Sequence, residues 1–207
     1  MAIRVSFWSL ACLLIFGEPG MAEEKNYSKK ERAVINRSVN EVVDVLEKEM
    51  KEQFGLRCTG QGGSMPYDIQ EISVRFVCRQ QVTVEEAREL EIRVTERFVE
   101  IINSHEAIRP FLRDYPWDHR RADIMIAFRD EYGEDYPEGV RLILQGKDQV
   151  FYYGPKKHPK EVGVTIKDEP YEEAKKIVNS TPSCLKSMEP KPVEKSVEKK
   201  KKWFGWL

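Results

Sequence analysis

Three histidines and several carboxylates are the side chains of this chain best suited to acid–base or metal chemistry. They are His105, His119 and His158, with nearby acids at Asp114, Asp118 and Asp123. No two histidines have the spacing of zinc ligands such as His-x-x-x-His, so the pattern favours surface histidines and no metal site. The alternative is a hydrolase or metal-dependent enzyme built on loops after Asn103. Such an enzyme requires Asp114, Asp118 and His119 to converge in one pocket.

Two other segments have compositions that ligand-binding loops share. Residues 60–63 are glycine-rich, but no Lys-Ser/Thr pair follows them to neutralise a phosphate. Residues 130–139 are acidic but lack the alternating oxygen ligands of an EF-hand. Ser64 lies outside the Gly-x-Ser-x-Gly context that exposes a nucleophile. The sequence therefore predicts no cofactor and no catalytic residue, and it favours a non-enzymatic protein.

The N-terminal 22 residues have the pattern of a secretory signal peptide. Arg4 precedes an apolar run from Val5 to Phe16, and Gly20-Met21-Ala22 supplies small residues before a cleavage point. The run is about a dozen residues long, whereas a membrane-spanning helix needs ~20. The pattern predicts export to the periplasm or the extracellular space. An uncleaved signal anchor and a lipidated Cys12 are the alternatives.

Export makes a disulfide a natural expectation, because thiols in oxidising compartments tend to pair. Cys58 and Cys78 flank a glycine-rich turn, and residue alternation places both on the apolar face of a two-stranded hairpin. The sequence predicts a disulfide between them, with two buried free thiols as the alternative. Cys184 is then either an exposed free thiol or a point of intermolecular pairing.

Hydrophobic periodicity predicts the elements that must position these residues. Apolar residues recur at helical spacing over 28–54, and again in a second helix that begins at the capping box Thr83–Glu86. Shorter elements follow: strands at 122–128, 139–144, 149–153 and 162–167, and a helix at about 170–178. This order predicts an α+β fold, a mainly antiparallel sheet with two long amphipathic helices packed on one face.

Length and charge indicate one domain with a tail. The chain has 207 residues and a net charge of −1, which argues against a nucleic-acid partner for the folded part. We expect a signal peptide at 1–22, an α+β domain at 23–179 and a disordered tail at 180–207. The tail is rich in lysine, proline and glutamate.

The C-terminus of the tail combines a basic run with aromatic residues. These residues are Lys199, Lys200, Lys201, Lys202, Trp203, Phe204 and Trp206. Lysines are attracted to anionic membranes, and tryptophan favours the interfacial zone. The combination predicts weak peripheral contact with a membrane or another envelope surface. The alternative is a solubilising tail whose aromatic end docks on its own domain or on a partner.

Residues 107–117 form the densest cluster of aromatic, proline and arginine residues in the folded region. Arg109, Phe111, Tyr115 and Trp117 are of the types that favour recognition surfaces, and they predict a surface for a protein partner. A packed loop that covers the end of the second helix is the alternative.

The region from Thr83 to Phe128 resembles a pattern found in uncharacterised exported proteins of intracellular Gram-negative bacteria. The resemblance is carried by Asn103, the run 108–112, Tyr115-Pro116 and the strand that follows. It implies an exported location and no particular activity. Together with the composition, it favours an exported interaction module of the cell envelope.

The cleavage site gives a first testable prediction. The mature protein should begin near Glu23, because the small residues 20–22 precede it as a signal peptidase requires. Intact-mass measurement of the protein from its native cell checks this. Retention of residues 1–22, or a lipid on Cys12, would contradict it.

Overall fold

Helices and strands are distributed along the whole described part of the computed structural model. The structure describes residues 27–156 and 163–185. In chain order the elements are α1 (Lys29–Phe54), β1 (Arg57–Ser64), β2 (Glu71–Cys78), α2 (Val84–Ser104), β3 (Ala122–Phe128), β4 (Leu142–Gly146), β5 (Gln149–Tyr153), β6 (Thr165–Pro170) and α3 (Tyr171–Ser180). The α+β class predicted from the sequence is confirmed.

The six strands form one sheet whose spatial order is the same as their order in the chain, β1 to β6. All neighbouring strands are antiparallel except β2 and β3, which are parallel. Parallel neighbours need a long crossover connection, and α2 provides it. The middle helix is therefore fixed to the middle of the sheet by topology.

Local signals define the helix ends. Ser28 and Glu31 form a capping box at the start of α1, and Thr83 and Glu86 form another at the start of α2. Each box satisfies two backbone N–H groups that have no partner within the helix. Gly55 ends α1 in the left-handed conformation, with φ of 67°, which glycine adopts without steric cost.

All three helices pack on the same face of the sheet. α1 contacts β1 and β2, α2 contacts β3 and β4, and α3 contacts β5 and β6. The sheet residues that face them are buried: Val74, Phe76, Cys78, Ile124, Ile126, Phe128, Ile143, Val150 and Tyr152. The two predicted helices thus cover one face, and the short third helix completes the layer.

A buried ion pair joins the middle helix to the last strand. Arg88 Nε donates to Glu169 Oε1 at 2.7 Å, and both side chains are more than 90% buried. Tyr152 Oη donates to the same carboxylate oxygen at 2.5 Å, and Lys167 Nζ lies 2.9 Å from the other. Burial alone raises the pKa of Glu169, but these three partners outweigh it and lower the pKa below its usual value.

The disulfide predicted between Cys58 and Cys78 is not present in the structure, where both residues are free thiols. Strand register is the reason: Cys58 lies opposite Phe76, two residues away from Cys78, and an irregularity follows it at Gly60. Cys58 Sγ instead donates to the Gly60 carbonyl at 3.6 Å. The shared apolar face is confirmed, because Cys78 belongs to the core and Cys58 packs against it.

The packed domain extends past the predicted boundary at residue 180. Leu185 is 7% exposed and belongs to the hydrophobic core, so residues 181–185 belong to the domain rather than to a tail. The signal peptide predicted at 1–22 lies outside the described residues. So does the basic and aromatic C-terminus at 199–207.

The Arg88–Glu169 pair gives a second prediction. Glu169→Ala should lower the free energy of unfolding by ~3–5 kcal/mol, because it leaves the Arg88 guanidinium buried without a partner. Urea denaturation measures this. The control is Glu100→Ala, which removes an exposed partner of Arg97 and should cost ~1 kcal/mol or less.

Replacing the buried charges together with the hydroxyl that binds them, as Arg88→Met, Tyr152→Phe and Glu169→Leu in one protein, should recover much of the loss, since apolar residues of similar size can substitute for a buried polar group and its partners. Equal destabilisation by Glu169→Ala and Glu100→Ala would show that the buried pair has no special role.

Candidate functional site

The face of the sheet opposite the helices is the candidate interaction surface. Side chains alternate along each strand, so the residues between the buried core positions point to this face. Seven of them are apolar: Val77, Met125, Ala127, Leu142, Leu144, Phe151 and Tyr153. We refer to this set as the open face. None of the seven belongs to the hydrophobic core or to the side chains packed against it.

The open-face side chains are adjacent to one another across β3, β4 and β5. Met125 pairs with Leu144, and Leu144 pairs with Phe151. In the next row Ala127 pairs with Leu142, and Leu142 pairs with Tyr153. All but Ala127, at 9% exposure, are half-buried. The three described helices do not contribute to this partial burial, because they lie on the other face.

Phe151 owes its position in part to a glycine. A Cβ atom at Gly146 would approach the Phe151 ring to 3.3 Å, so the missing side chain leaves space for the ring beside the backbone of β4. Gly146 thus leaves room for an aromatic side chain on the open face. An aromatic side chain on the surface of a sheet suits contact with a protein better than enclosure of a small molecule.

The sequences of β3 and β5 contain a signal for this surface. A search for alternating apolar and polar residues, which assumes that only one face of the sheet is apolar, does not reveal it. The segments 122–128 and 149–153 are apolar at successive positions, not only at alternate ones. Such runs are typical of strands with two apolar faces. Because the helices cover one face only, the second apolar face is the signal that could have identified the open face.

The predicted surface at residues 107–117 is only partly a surface. Trp117 is 2% exposed and belongs to the core, and Phe111 packs against the core with its ring edge-on to Tyr27, 5.5 Å between centroids. Trp117 is thus buried and Phe111 half-buried, while the partner surface on this segment stays a prediction. Arg109 and Tyr115 are exposed, with the guanidinium 4.7 Å from the ring centroid.

Asn103 explains how this loop is held. Its Oδ1 accepts from the backbone N–H of Trp117 at 2.7 Å, and its Nδ2 donates to the Trp117 carbonyl at 2.9 Å. The end of α2 and the loop before β3 are thereby joined by two hydrogen bonds. The positions of Phe111 and Trp117 agree with the alternative interpretation of this segment, a packed loop that covers the end of α2.

The histidines and acids weighed for catalysis are engaged separately. The His119 ring stacks on Tyr171 with centroids 3.9 Å apart, and burial lowers its pKa. Asp114 pairs with Arg121, and Asp118 accepts from the backbone of Arg120 at 2.9 Å.

His105 Nε2 lies 3.2 Å from Glu41 of α1, and His158 lies outside the described residues. Within residues 27–156 and 163–185, no three His, Cys, Asp or Glu residues are grouped as metal ligands. The acidic loop at 130–139 turns on itself, since Asp130 Oδ1 accepts from the backbone of Tyr132 and of Glu134.

A buried polar chain between α2 and the sheet was not foreseen. Glu91 is fully buried, and Thr95 Oγ1 lies 3.5 Å from its carboxylate and 2.7 Å from Gln145 Oε1. Gln145 Nε2 donates to the His119 carbonyl at 2.6 Å. Burial, reinforced by the charge of Asp123, raises the pKa of Glu91 well above its usual value.

A groove of about 830 Å³ runs along the outer side of the helical layer. Its apolar wall consists of Met50, Phe54, Ile92, Val178 and Leu185. Charged residues at its rim are paired, since Arg97 donates to both Glu49 and Glu100 at 2.6 Å. This groove and the open face lie on opposite sides of the sheet.

The last described residues are attached beside this groove. Cys184 donates to Glu89 Oε2 through its backbone N–H at 2.7 Å and through its thiol at 3.0 Å. Burial alone raises the pKa of Glu89, but hydrogen bonds from Ser183, Cys184 and Arg93 outweigh it and lower the pKa to about 2. Cys184 is an exposed free thiol, and burial together with the nearby carboxylate raises its pKa to about 11.

Comparison with known proteins adds no relative. No protein-family model, curated protein or solved structure matches the chain. The resemblance of residues 83–128 to exported bacterial proteins therefore stays a prediction. None of the helices in the described part of the chain has the length and apolar character needed to cross a membrane.

Glu91 gives a third prediction, on the pH dependence of stability. A raised folded-state pKa means that the folded protein holds this proton more tightly than the unfolded chain does. The resulting stability is fully present below the ordinary pKa of 4.5 and is lost as pH rises through the folded pKa. Relative to Glu91→Gln, the wild type should therefore lose stability with rising pH, by up to ~1.4 kcal/mol per pH unit.

Urea denaturation of both proteins between about pH 5 and pH 8 measures the difference. The lowered pKa of His119 acts in the opposite direction, but it is present in both proteins and cancels in the comparison. Glu173→Gln, at an exposed carboxylate of α3 that is not paired with His119, is the control. Parallel curves for wild type and Glu91→Gln would contradict the prediction.

Proposed function

We propose that this protein is an exported, non-enzymatic interaction module of the cell envelope, which binds a protein partner through the open face. The observation that carries the proposal is a contiguous apolar and aromatic surface on β3, β4 and β5, which none of the helices within residues 27–156 and 163–185 covers. Six of the seven residues are half-buried and so partly accessible to solvent, and accessible apolar patches rimmed by polar residues mark interaction sites in soluble proteins.

The shape of the open face supports a protein rather than a small molecule as the ligand. Small-molecule sites are concave and enclose most of the ligand, whereas Met125, Leu144 and Phe151 lie side by side on a pleated sheet. Aromatic residues and methionine are the types enriched at protein–protein interfaces. The surface therefore has both the form and the composition that a protein partner requires.

The separation of the acid–base groups also supports a binding role. The His119 ring stacks on Tyr171 with its nitrogens nearest Asp148 and Glu172, whereas Asp114 is paired with Arg121, so the two groups have different neighbours. A general base must lie within hydrogen-bond reach of the proton that it abstracts. The hydrolase alternative needs these groups free and directed into one pocket.

The location in the cell is part of the proposal and depends on the sequence. The N-terminal apolar run favours export to the periplasm or the outside of the cell. The basic and aromatic residues at 199–207 favour an additional weak contact with an anionic surface. The open face and this terminal segment would then be separate points of attachment.

Site-directed photo-cross-linking in the native cell envelope tests the proposal. A photoreactive phenylalanine analogue at position 144, in the centre of the open face, should form cross-links to protein. The same analogue at position 132 is the control, because Tyr132 is 82% exposed on the acidic loop and does not belong to the apolar set. Adding Phe151→Asp should abolish the cross-links at position 144, since a charge in the patch disfavours apolar contact.

Melting curves must show that the Phe151→Asp protein is folded, as we expect for a half-buried residue outside the core. Cross-links to protein from position 132 and none from position 144 would overturn the proposed surface. So would cross-linking at position 144 that is unchanged by Phe151→Asp.

A further inference from the structure

The row of residues that crosses the centre of the open face ends in opposite charges. Strand register aligns Arg75 of β2 with Met125, Met125 with Leu144, Leu144 with Phe151, and Phe151 with Asp168 of β6. Three apolar side chains are thus flanked by a cation at one end and an anion at the other. Neighbouring strands lie ~4.8 Å apart, so the two charged residues are ~19 Å apart along the row.

Both charged residues are available for an external contact. Arg75 and Asp168 are exposed, and neither forms an ion pair with another residue in the described part of the chain. Arg141, directly before β4, differs, since its side chain is buried near Asp135. The exposed pair at the ends of the row is therefore a feature of the surface rather than of the core.

We infer that the partner of the open face is a second copy of this chain, packed face to face about a two-fold axis. This inference rests on the proposed function, because it requires that the open face is an interface. A two-fold axis parallel to the strands and centred on β4 reverses the row. Arg75 of one copy then faces Asp168 of the other, Met125 faces Phe151, and Leu144 faces Leu144.

Such a row is complementary to itself, which is the condition that an isologous interface must meet. The rotation forms two intermolecular ion pairs, one at each end, with the apolar residues between them. Any rotation that superposes the rows without reversing them would place like charges together. The charge pattern therefore favours one orientation of the two copies.

The dimensions of packed sheets permit the contact. Face-to-face sheets lie ~10 Å apart and cross at ~30°, which moves the ends of the row by ~5 Å relative to each other. An arginine side chain is long and flexible enough to bridge such an offset at the edge of an interface. The central Leu144 contact lies on the axis and is not displaced.

The size of the patch sets the expected strength. The apolar residues on β3 to β5 and the flanking strands cover ~400 Å² of each copy. This area is about half of the surface that each partner buries in a standard-sized protein–protein interface. We therefore expect a dimer that forms reversibly and depends on concentration. Charge at the ends of the row then matters more than in a large apolar interface.

Charge reversal at the ends of the row tests the inference. Sedimentation equilibrium of the full-length protein, over concentrations from ~1 μM to ~1 mM, should show a monomer–dimer equilibrium. Arg75→Glu and Asp168→Arg should each weaken self-association by about tenfold or more, because each places like charges opposite one another twice. The controls Lys176→Glu and Glu173→Arg make the same charge changes on the exposed side of α3 and should leave the equilibrium unchanged.

Mixing the two single variants gives the decisive measurement. In a heterodimer of Arg75→Glu with Asp168→Arg, both ends of the row again carry opposite charges, so the mixture should associate more strongly than either variant alone. The double variant Arg75→Glu with Asp168→Arg should recover self-association for the same reason. Failure of both combinations to recover would overturn the inference, as would a wild-type protein that is monomeric at every concentration.

The outcome is separable from that of the proposed function. A monomeric protein whose position 144 still cross-links to a different envelope protein overturns the second copy as partner and supports the open face as a binding surface. A protein that neither associates with itself nor cross-links from position 144 overturns both.

Discussion

Burial of charge on α2 is the constraint on which the rest of the structure depends. This helix lies between α1 and α3 and against the sheet, so charged residues such as Arg88 and Glu91 have no access to water. An unpaired buried charge is strongly destabilising, and the partner of Arg88 must therefore come from another element. Glu169 meets that need from β6, which ties the last strand of the sheet to the helix that precedes β3.

The ion pair between α2 and β6 affects how the helical layer is arranged on the sheet. With α2 bound to both the centre and the far edge of the sheet, α3 packs beside it on the same face, and α1 covers the first two strands. All helical cover is then on one side. Strands β3 to β5 nevertheless carry apolar residues on both sides. The arrangement that satisfies the core therefore leaves the open face without cover from the helices that the structure describes.

The sequence predicted those elements whose signals are local. α1 and α2 begin at their capping boxes, and β3 lies at residues 122–128, where the sequence predicts a strand. What could not be predicted depends on contacts between distant segments: the parallel pairing of β2 with β3, the offset of Cys58 from Cys78, and the partners of Arg88 and Trp117. Alternating apolar and polar residues identify the face of the sheet that a residue occupies. They do not identify its neighbour on the adjacent strand, and the geometry of a site depends on that neighbour.

The attachment of Cys184 to Glu89 determines where the chain leaves the domain. Leu185 is buried on the helical side, beside Ile92, while the open face looks in the opposite direction. A helix layer and a sheet, ~10 Å each, separate the two. The open face and the point at which the chain leaves the domain therefore lie on opposite sides of the same layered structure. A partner bound to the sheet and a partner bound to residues beyond 185 would be held apart by the thickness of the domain.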